Sequence, residues 1–297
     1  MKTINLQELT LPKRQAWLQH AIAPRPIAFA STVDKEGNVN LSPFSFFNLF
    51  STNPPIIIFS PSRSGRTNSL KHTLLNVLDV AEVVINICDY SMVQQVSLSS
   101  CEYPKNIDEF IKAGFTKQQA TIVKPPMVKE AKIKMECKVN EVKSLGEQGG
   151  AGQLIIAEVL CMHVDESILN EEGSMIDQKK INHIARLGGD YYAVIKENNL
   201  FTVAKPNTEL GIGIDALPQD IRNSKILTGN HLGQLANVQQ LPQVNVAFED
   251  EQLKNIIQYF SINPNEMEKE LHRYAAALLD KGKVNEAWQV LLADENV

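Results

Sequence analysis

The chain has 297 residues, of which 43% are hydrophobic and 21% are charged, and its formal net charge at pH 7 is −5. These values are typical of a globular protein with a sizeable core, in one large domain or two small ones, and they lack the basic footprint of a nucleic-acid-binding domain. No apolar run approaches the length of a membrane span and no signal peptide is recognisable, so we expect a cytoplasmic protein that does not bind membranes. The four cysteines form no Cys-x-x-Cys pair, which favours reduced thiols over disulfides or a zinc site.

Residues 24–60 predict a strand, a tight turn, a second strand, a loop and a third strand. Gly37 suits the turn because glycine readily adopts a positive φ. Serine and asparagine residues are then interleaved with phenylalanines, a combination that offers hydrogen bonds to the edge of a flat ring ligand and apolar cover for its face. An all-β core with ordinary turn chemistry is the alternative interpretation, and composition alone favours it.

A second polar cluster begins at the end of the third strand and runs into a helix predicted over Ser69–Leu78. Within 14 residues it contains Ser60, Ser62, Arg63, Ser64, Arg66, Ser69, Lys71 and Thr73. Hydroxyls, cations and backbone N–H groups at the start of a helix are the groups that bind phosphate. A solvated loop explains the same residues equally well, and neither a P-loop nor a Rossmann glycine motif is present.

The middle of the chain predicts more strands, joined by turns and short helices. We expect strands over Val80–Ile87, 132–139 and Leu154–Val164, and short helices over Tyr90–Leu98 and Ile107–Ala113, the second ending at Gly114. In the strand over 132–139, charged residues including Glu136 are expected on the face opposite the apolar ones. Strands with only short helices between them argue for a mostly antiparallel barrel rather than βαβ repeats.

No metal centre and no catalytic residue stand out. The six histidines are widely spaced, none belongs to a His-Glu-x-x-His motif, and no Gly-x-Ser-x-Gly marks a serine hydrolase, so we predict no metal site. The segment Arg186–Tyr192 combines two glycines, which let a backbone approach a ligand, with an arginine and two tyrosines that can stack. A glycine turn with core tyrosines is the alternative interpretation.

The composition changes near Lys205-Pro206, where we place the boundary between a domain of residues 1–205 and a C-terminal extension of residues 206–297. The extension is mainly helical from about residue 251. Two helices joined by a short turn carry the apolar stripes Leu271/Tyr274/Leu278 and Val284/Trp288/Leu291. A single helical hairpin cannot bury both of its faces, so we expect the second face to lie on the barrel, on a partner subunit or on another protein, with Trp288 buried.

These clusters, in this order, resemble the flavin reductase-like family of FMN-binding split barrels over about residues 20–195. The resemblance rests on Arg25-Pro26-Ile27-Ala28, the block from Gly37 to Ser45, Asn53-Pro54-Pro55, Lys71-His72-Thr73, Glu82–Asn86 and Ala185–Gly189. It implies a mostly β fold, an antiparallel Greek-key split β-barrel with short helices, in a homodimer that binds FMN near the subunit interface. Many members have Lys-Asp-Thr where this chain has Lys71-His72-Thr73, and the resemblance does not cover residues 207–297.

The resemblance also implies a site and an activity. The flavin ring and ribityl chain would contact Asn40, Ser42, Pro43, Phe44, Ser45 and Asn48. The phosphate would bind to Ser60, Ser62, Arg63, Arg66, Lys71 and Thr73, and the closing segment would contribute Arg186, Gly188 and Tyr191. The implied activity is that of an oxidoreductase that passes electrons from NAD(P)H through FMN to an acceptor that the sequence does not identify. A non-catalytic FMN-binding electron carrier and an interaction scaffold are the alternatives.

Overall fold

A computed structural model of the chain describes residues 1–205 and 209–293. The chain divides into two compact units, Met1–Leu200 and Phe201–Val297. The predicted start of the C-terminal extension at Pro206 lies outside the described residues, and the assignment of a function to each part stays a prediction. No helix in the described ranges is long and apolar enough to cross a lipid bilayer.

Strands dominate the N-terminal unit. They are β1 (Ala28–Val33), β2 (Val39–Phe44), β3 (Phe47–Thr52), β4 (Pro55–Phe59), β5 (Glu82–Ile87), β6 (Lys117–Gln118), β7 (Met127–Val128), β8 (Ile133–Ser144), β9 (Gln153–Val164), β10 (Ile184–Arg186) and β11 (Tyr192–Val194). One antiparallel sheet has the order β2-β1-β5-β8-β9-β4-β3, and β6–β7 and β10–β11 form small ribbons. The predicted antiparallel sheet is therefore confirmed, whereas its closure into a split barrel stays a prediction.

Short helices flank the strands of this unit. They are α1 (Leu11–Ala21), α2 (His72–Asp79), α3 (Val93–Leu98) and α4 (Glu109–Ala113), with 3₁₀ turns at Leu6–Glu8, Tyr90–Met92, Glu166–Ile168 and Glu197–Asn199. α4 ends at Gly114 as predicted, because this residue has a φ of +70° that favours glycine. α1 was not predicted, since it buries none of its residues and its sequence therefore shows no apolar face.

Residues 28–59 form four strands rather than the predicted three. Gly37 has a φ of +85° in the turn between β1 and β2, as expected. All six residues of β1 are buried, because the strand lies inside the sheet and both of its faces are covered. The expected loop after β2 is instead β3, an edge strand that pairs with β4. β3 was missed because its side chains are largely exposed, so the alternation that marks a half-buried strand is absent.

The strand pattern placed Glu136 among charged residues on the face of β8 opposite the apolar ones, and in the structure Glu136 is fully buried. Its carboxylate accepts hydrogen bonds from the backbone N–H groups of Thr121, Ile122 and Val123, which cover this position, at 2.6–3.0 Å. A bulge beside Glu136 also interrupts the two-residue alternation of the strand. Long-range backbone contacts therefore bury a carboxylate that the local pattern does not mark as buried.

The C-terminal unit is helical. It contains a 3₁₀ turn at Ile214–Ala216 and helices α5 (Gln219–Arg222), α6 (Gly229–Leu235), α7 (Glu251–Phe260), α8 (Pro264–Leu279) and α9 (Val284–Leu291). α8 and α9 form the predicted hairpin, and Trp288 is fully buried as expected. The barrel, a partner subunit or another protein was predicted to cover the second face of this hairpin, and this prediction is wrong. Leu217, Ile221 and Leu235 of the same unit share the core of the hairpin instead. α5 and α6 are too short to show a helical period in the sequence.

Candidate functional site

The candidate site is a cavity of about 900 Å³ in the N-terminal unit. α1, the corner between β2 and β3, the segment after β4 and the loop over 145–151 form its walls. Its charged lining comprises five cations and two acids, which are Arg14, Arg25, Arg63, Arg66, Lys71, Glu102 and Glu147. This excess of positive charge favours an anionic ligand.

Two polar loops are joined at one end of the cavity. The N–H group of Arg63 donates to the carbonyl oxygen of Ala151 at 2.9 Å, and the N–H group of Gly150 donates to the carbonyl oxygen of Arg63 at 2.9 Å. Gly152 permits this approach, because a β-carbon at that position would lie 2.8 Å from Ser60 Oγ. The glycine-rich connection between β8 and β9 therefore supports the serine- and arginine-rich segment that follows β4.

Ser60 contributes a hydroxyl that is not satisfied by the protein. The residue is only 7% exposed and lines the cavity, and its Oγ has no hydrogen-bond partner among the described residues. A buried hydroxyl without a partner destabilises the folded state, and a polar ligand atom that bonds to it removes this cost. The buried, unpartnered hydroxyl of Ser60 thus indicates that a ligand binds at this place.

Three cations of the polar segment differ in their partners. Arg66 Nη2 lies 2.7 Å from Glu102 Oε2, and Lys71 Nζ lies 2.6 Å from Glu102 Oε1. The hydrogen bonds from Lys71 and then Arg66 lower the pKa of Glu102. Arg63 Nε donates instead to Asn68 Oδ1 at 2.8 Å and has no acidic partner in the described part of the chain. The cation in this segment that carries no ion pair is therefore Arg63.

A smaller cavity of about 360 Å³ adjoins the first and is lined by Asn40 and Ser42. Asn40 is buried, and both the oxygen and the nitrogen of its side-chain amide already form hydrogen bonds. Thr73 Oγ1 donates to Asn40 Oδ1 at 2.6 Å, and Asn40 Nδ2 donates to Glu109 Oε1 at 2.9 Å. Burial raises the pKa of the Glu109 carboxyl, whose other oxygen accepts the N–H group of Leu41. Thr73 and Asn40 thus connect α2, β2 and α4.

α1 is held in place by Arg25 and by the turn between β10 and β11. The buried Arg25 guanidinium donates to the carbonyl oxygens of Gln19 at 2.6 Å and Leu187 at 2.9 Å. Burial and the nearby Arg186 lower the pKa of Arg25. Gly188 lies directly against α1, because a β-carbon there would approach the His20 ring to 2.3 Å. The contact that Gly188 makes in the structure is therefore with a helix of the same unit.

Arg186 and Tyr191 lie apart from the polar segment. The Arg186 guanidinium stacks on the ring of Tyr192 at 4.5 Å, and both Arg186 and Tyr191 line a separate cavity of about 500 Å³. Asn48 lies on the exposed side of β3, where its Oδ1 accepts the N–H group of Leu49 at 2.8 Å. The structure does not bring these three predicted cofactor residues to the cavity of about 900 Å³.

The predicted cofactor residues that do meet at that cavity are Pro43, Phe44, Ser45, Ser60, Ser62, Arg63, Arg66 and Lys71. Sequence reasoning missed the contribution of α1 and of Glu102. α1 gave no signal because its sequence shows no apolar face. Glu102 lies in a polar stretch outside any helix or strand. The glycines over 146–152 were visible in the sequence and were a usable signal for a close backbone approach.

One group of potential metal ligands occurs among the described residues, namely Glu136, Cys161 and His163, whose ligand atoms lie within 4.8 Å of one another. The Nε2 atom of His163 lies 2.6 Å from Glu136 Oε1 and 3.7 Å from Cys161 Sγ. Because the Glu136 oxygens already accept backbone N–H groups, this arrangement is explained by hydrogen bonding. We assign no metal to it, and the absence of a metal site stays a prediction.

Comparisons with known proteins agree with one another. A model of the flavin reductase like domain matches residues 20–184. A protein from Aquifex aeolicus is 37% identical over 171 residues, which are 58% of this chain and 84% of that protein.

Solved structures extend the comparison. Nitrilotriacetate monooxygenase component B from Bacillus cereus is 34% identical, with a TM-score of 0.63 over 68% of this chain and 98% of that one. The FMN-binding protein from Thermus thermophilus is 17% identical, with a TM-score of 0.53 over 69% of this chain and 100% of that one, and shares the fold. With the match over residues 20–184, the chain belongs to the flavin reductase-like domain family.

Proposed function

We propose that residues 1–205 form an FMN-binding oxidoreductase domain that takes electrons from NAD(P)H and passes them to an acceptor of unknown identity. The observation that carries this proposal is the cationic cavity with the unpartnered hydroxyl of Ser60 in its wall. Membership of the flavin reductase-like family supports it, and so does the shared fold with a protein that is named for binding FMN.

The residues at the cavity fit the parts of FMN. A volume of about 900 Å³ lies within the usual range for sites that bind small organic ligands. Arg63 and Lys71 match the negative charge of the phosphate, and Phe44 offers an apolar surface to the ring. The Ser60 hydroxyl provides a donor for a polar atom of the ligand.

The protein side of the mechanism is binding and orientation. Arg63, Arg66 and Lys71 would hold the phosphate by charge-assisted hydrogen bonds, while Pro43 and Phe44 cover apolar parts of the cofactor and exclude water. When bound, FMN supplies the hydride and electron-transfer chemistry. We assign no proton-transfer step to any side chain of the cavity.

We also propose that the protein is a homodimer. β3 is an edge strand that exposes 57% of Leu49 and 63% of Phe50, and the preceding Phe46 is 43% exposed. A sheet edge that presents large apolar side chains to water is a liability for a monomer, because it invites pairing with another chain. A second copy of the chain that covers this edge would remove the liability.

Stopped-flow absorbance tests the oxidoreductase assignment. Protein loaded with FMN is mixed with NADH, and in a second experiment with NADPH, in the absence of oxygen. We expect the blue absorbance band to bleach rapidly with at least one of the two. A flavin that stays oxidised with both would contradict the assignment and identify an electron carrier that other proteins reduce.

A further inference from the structure

The Glu102 carboxylate lies between two of the cations that are predicted to bind phosphate. One of its oxygens is 2.7 Å from Arg66 Nη2 and the other is 2.6 Å from Lys71 Nζ. Each carboxylate oxygen thus takes one cation, as two oxygens of a phosphate group do when arginine and lysine bind it together. The carboxylate therefore resembles a phosphate in both charge and arrangement.

The Lys71–Glu102 ion pair also forms part of a shared wall. Lys71 and Glu102, with Pro43 and Phe44, line both the cavity of about 900 Å³ and the cavity of about 360 Å³. Five of the six predicted phosphate-binding residues, all except Thr73, line the larger cavity, whereas Ser42 lines only the smaller one. A ligand that contacts both groups of residues therefore passes the Lys71–Glu102 ion pair.

The ion pairs of Glu102 are weak enough to open. The side chains of Arg66, Lys71 and Glu102 are 82%, 36% and 46% exposed. An ion pair this exposed changes an equilibrium constant by less than about tenfold. A phosphate monoester has nearly twice the charge of a carboxylate and three acceptor oxygens, so it is the stronger partner for the same cations.

We propose that the Glu102 carboxylate occupies the position of the flavin phosphate and that the phosphate displaces it on binding. Glu102 is then a specificity-determining residue, because its competition weakens binding of phosphorylated flavin and leaves riboflavin binding unchanged. The proposal rests on the FMN site proposed above. It adds that the protein binds FMN less tightly than its cations alone permit, which makes the cofactor exchangeable.

Flavin titrations of the full chain test this role. We compare the wild-type protein with Glu102→Gln, measuring dissociation constants for FMN and for riboflavin by fluorescence quenching. Glu102→Gln is expected to bind FMN about three- to tenfold more tightly and to leave riboflavin binding within about twofold. Glu147→Gln is the matched control, because Glu147 lines the same cavity and is exposed but has no ion pair in the described residues. This control removes one negative charge from the same cavity but breaks no ion pair, so it should tighten FMN binding clearly less than Glu102→Gln does and leave riboflavin binding within about twofold.

Inorganic phosphate provides a second readout that does not involve a flavin ring. Its inhibition constant for competition with FMN should fall in Glu102→Gln, and it should not displace riboflavin. Unchanged or weaker FMN binding by Glu102→Gln would overturn the role of Glu102, and so would equal effects of Glu147→Gln. If the wild-type protein and both variants bind no flavin at all, the FMN site itself is refuted and the proposal falls with it.

Discussion

Removing the single positive charge of Lys71 tests the proposed phosphate site. Its Nζ lies in the wall of the cavity, and a charge-assisted hydrogen bond to phosphate contributes about 1.5–3 kcal/mol. Lys71→Ala should therefore weaken FMN binding by about 10- to 150-fold, while riboflavin, which lacks the phosphate, loses little. Isothermal titration calorimetry with both flavins measures the difference.

The control for this experiment is Lys138→Ala, which removes an exposed lysine from β8 outside the cavity. It should leave both affinities unchanged. Equal losses of FMN and riboflavin affinity in Lys71→Ala would show that Lys71 acts through the fold and not through the phosphate.

The Glu136 carboxyl makes the free energy of unfolding depend on pH in the acidic range. Burial raises the pKa of this carboxyl, but hydrogen bonds from Thr121, His163, Ile122 and Val123 outweigh that effect and lower the pKa to about 2, from an ordinary value of 4.5. A folded-state pKa below the unfolded value gives stability that is present above about pH 4.5 and is lost as the pH falls towards about 2.

Glu136→Gln should flatten this part of the stability profile, because the titrating group is gone. The amide also places a donor against backbone donors, so we expect a loss of about 1.5–3 kcal/mol at neutral pH. Thermal unfolding between pH 2 and 7 measures both effects, with Glu141→Gln, on the exposed face of the same strand, as the control. Parallel pH profiles for wild type and Glu136→Gln would contradict this account.

Side chains that are close in the sequence were easier to predict than those that meet only in the fold. Ser60, Arg63 and Lys71 stand out because hydroxyls and cations cluster within one short segment. Glu102 is 31 residues from Lys71, and Glu109 is 69 residues from Asn40, so no local pattern connects them. The sequence therefore identified three of the five cations of the cavity, missing Arg14 and Arg25, and neither of the carboxylates that bond to its residues.

Among the elements, those with a clear hydrophobic period were predictable. α8 and α9 bury one face each and carry matching apolar stripes, and β5 and β9 are apolar along most of their length. α1 buries none of its residues and has no such period, so its sequence gives no periodic signal. It nonetheless forms a wall of the cavity, so the missing periodicity also concealed part of the site.

Trp288 tests the packing of the C-terminal helices. It is fully buried in α9, and its indole N–H donates to the carbonyl oxygen of Leu235 at 3.3 Å. Trp288→Ala should lower the free energy of unfolding of this unit by about 3–5 kcal/mol, because it leaves a large cavity. Denaturant unfolding followed by circular dichroism measures the loss.

Trp17→Ala is the matched control, since Trp17 is 46% exposed on α1 and its removal should cost much less. We expect the absorption spectrum of bound flavin to stay the same in Trp288→Ala. An unchanged unfolding midpoint in Trp288→Ala would show that the residue does not support the core of the unit.

At the scale of the whole molecule, the chain divides into two compact units, and β3, the strand of the proposed dimer contact, lies in the N-terminal one. A protein of residues 1–205 should fold, take up FMN and remain dimeric, because the exposed apolar side chains of β3 lie within it. Light scattering on the shortened and full-length proteins compares their masses. A monomeric shortened protein beside a dimeric full-length one would assign dimerisation to the C-terminal unit.

The proposed function depends above all on the binding of FMN by this protein. The most direct test is the absorption spectrum of the purified full-length protein, before and after addition of FMN and removal of the excess, followed by chromatographic identification of the released chromophore. We expect absorption bands in the blue and the near ultraviolet, and FMN as the released compound. A protein that is colourless and retains no added FMN would contradict it.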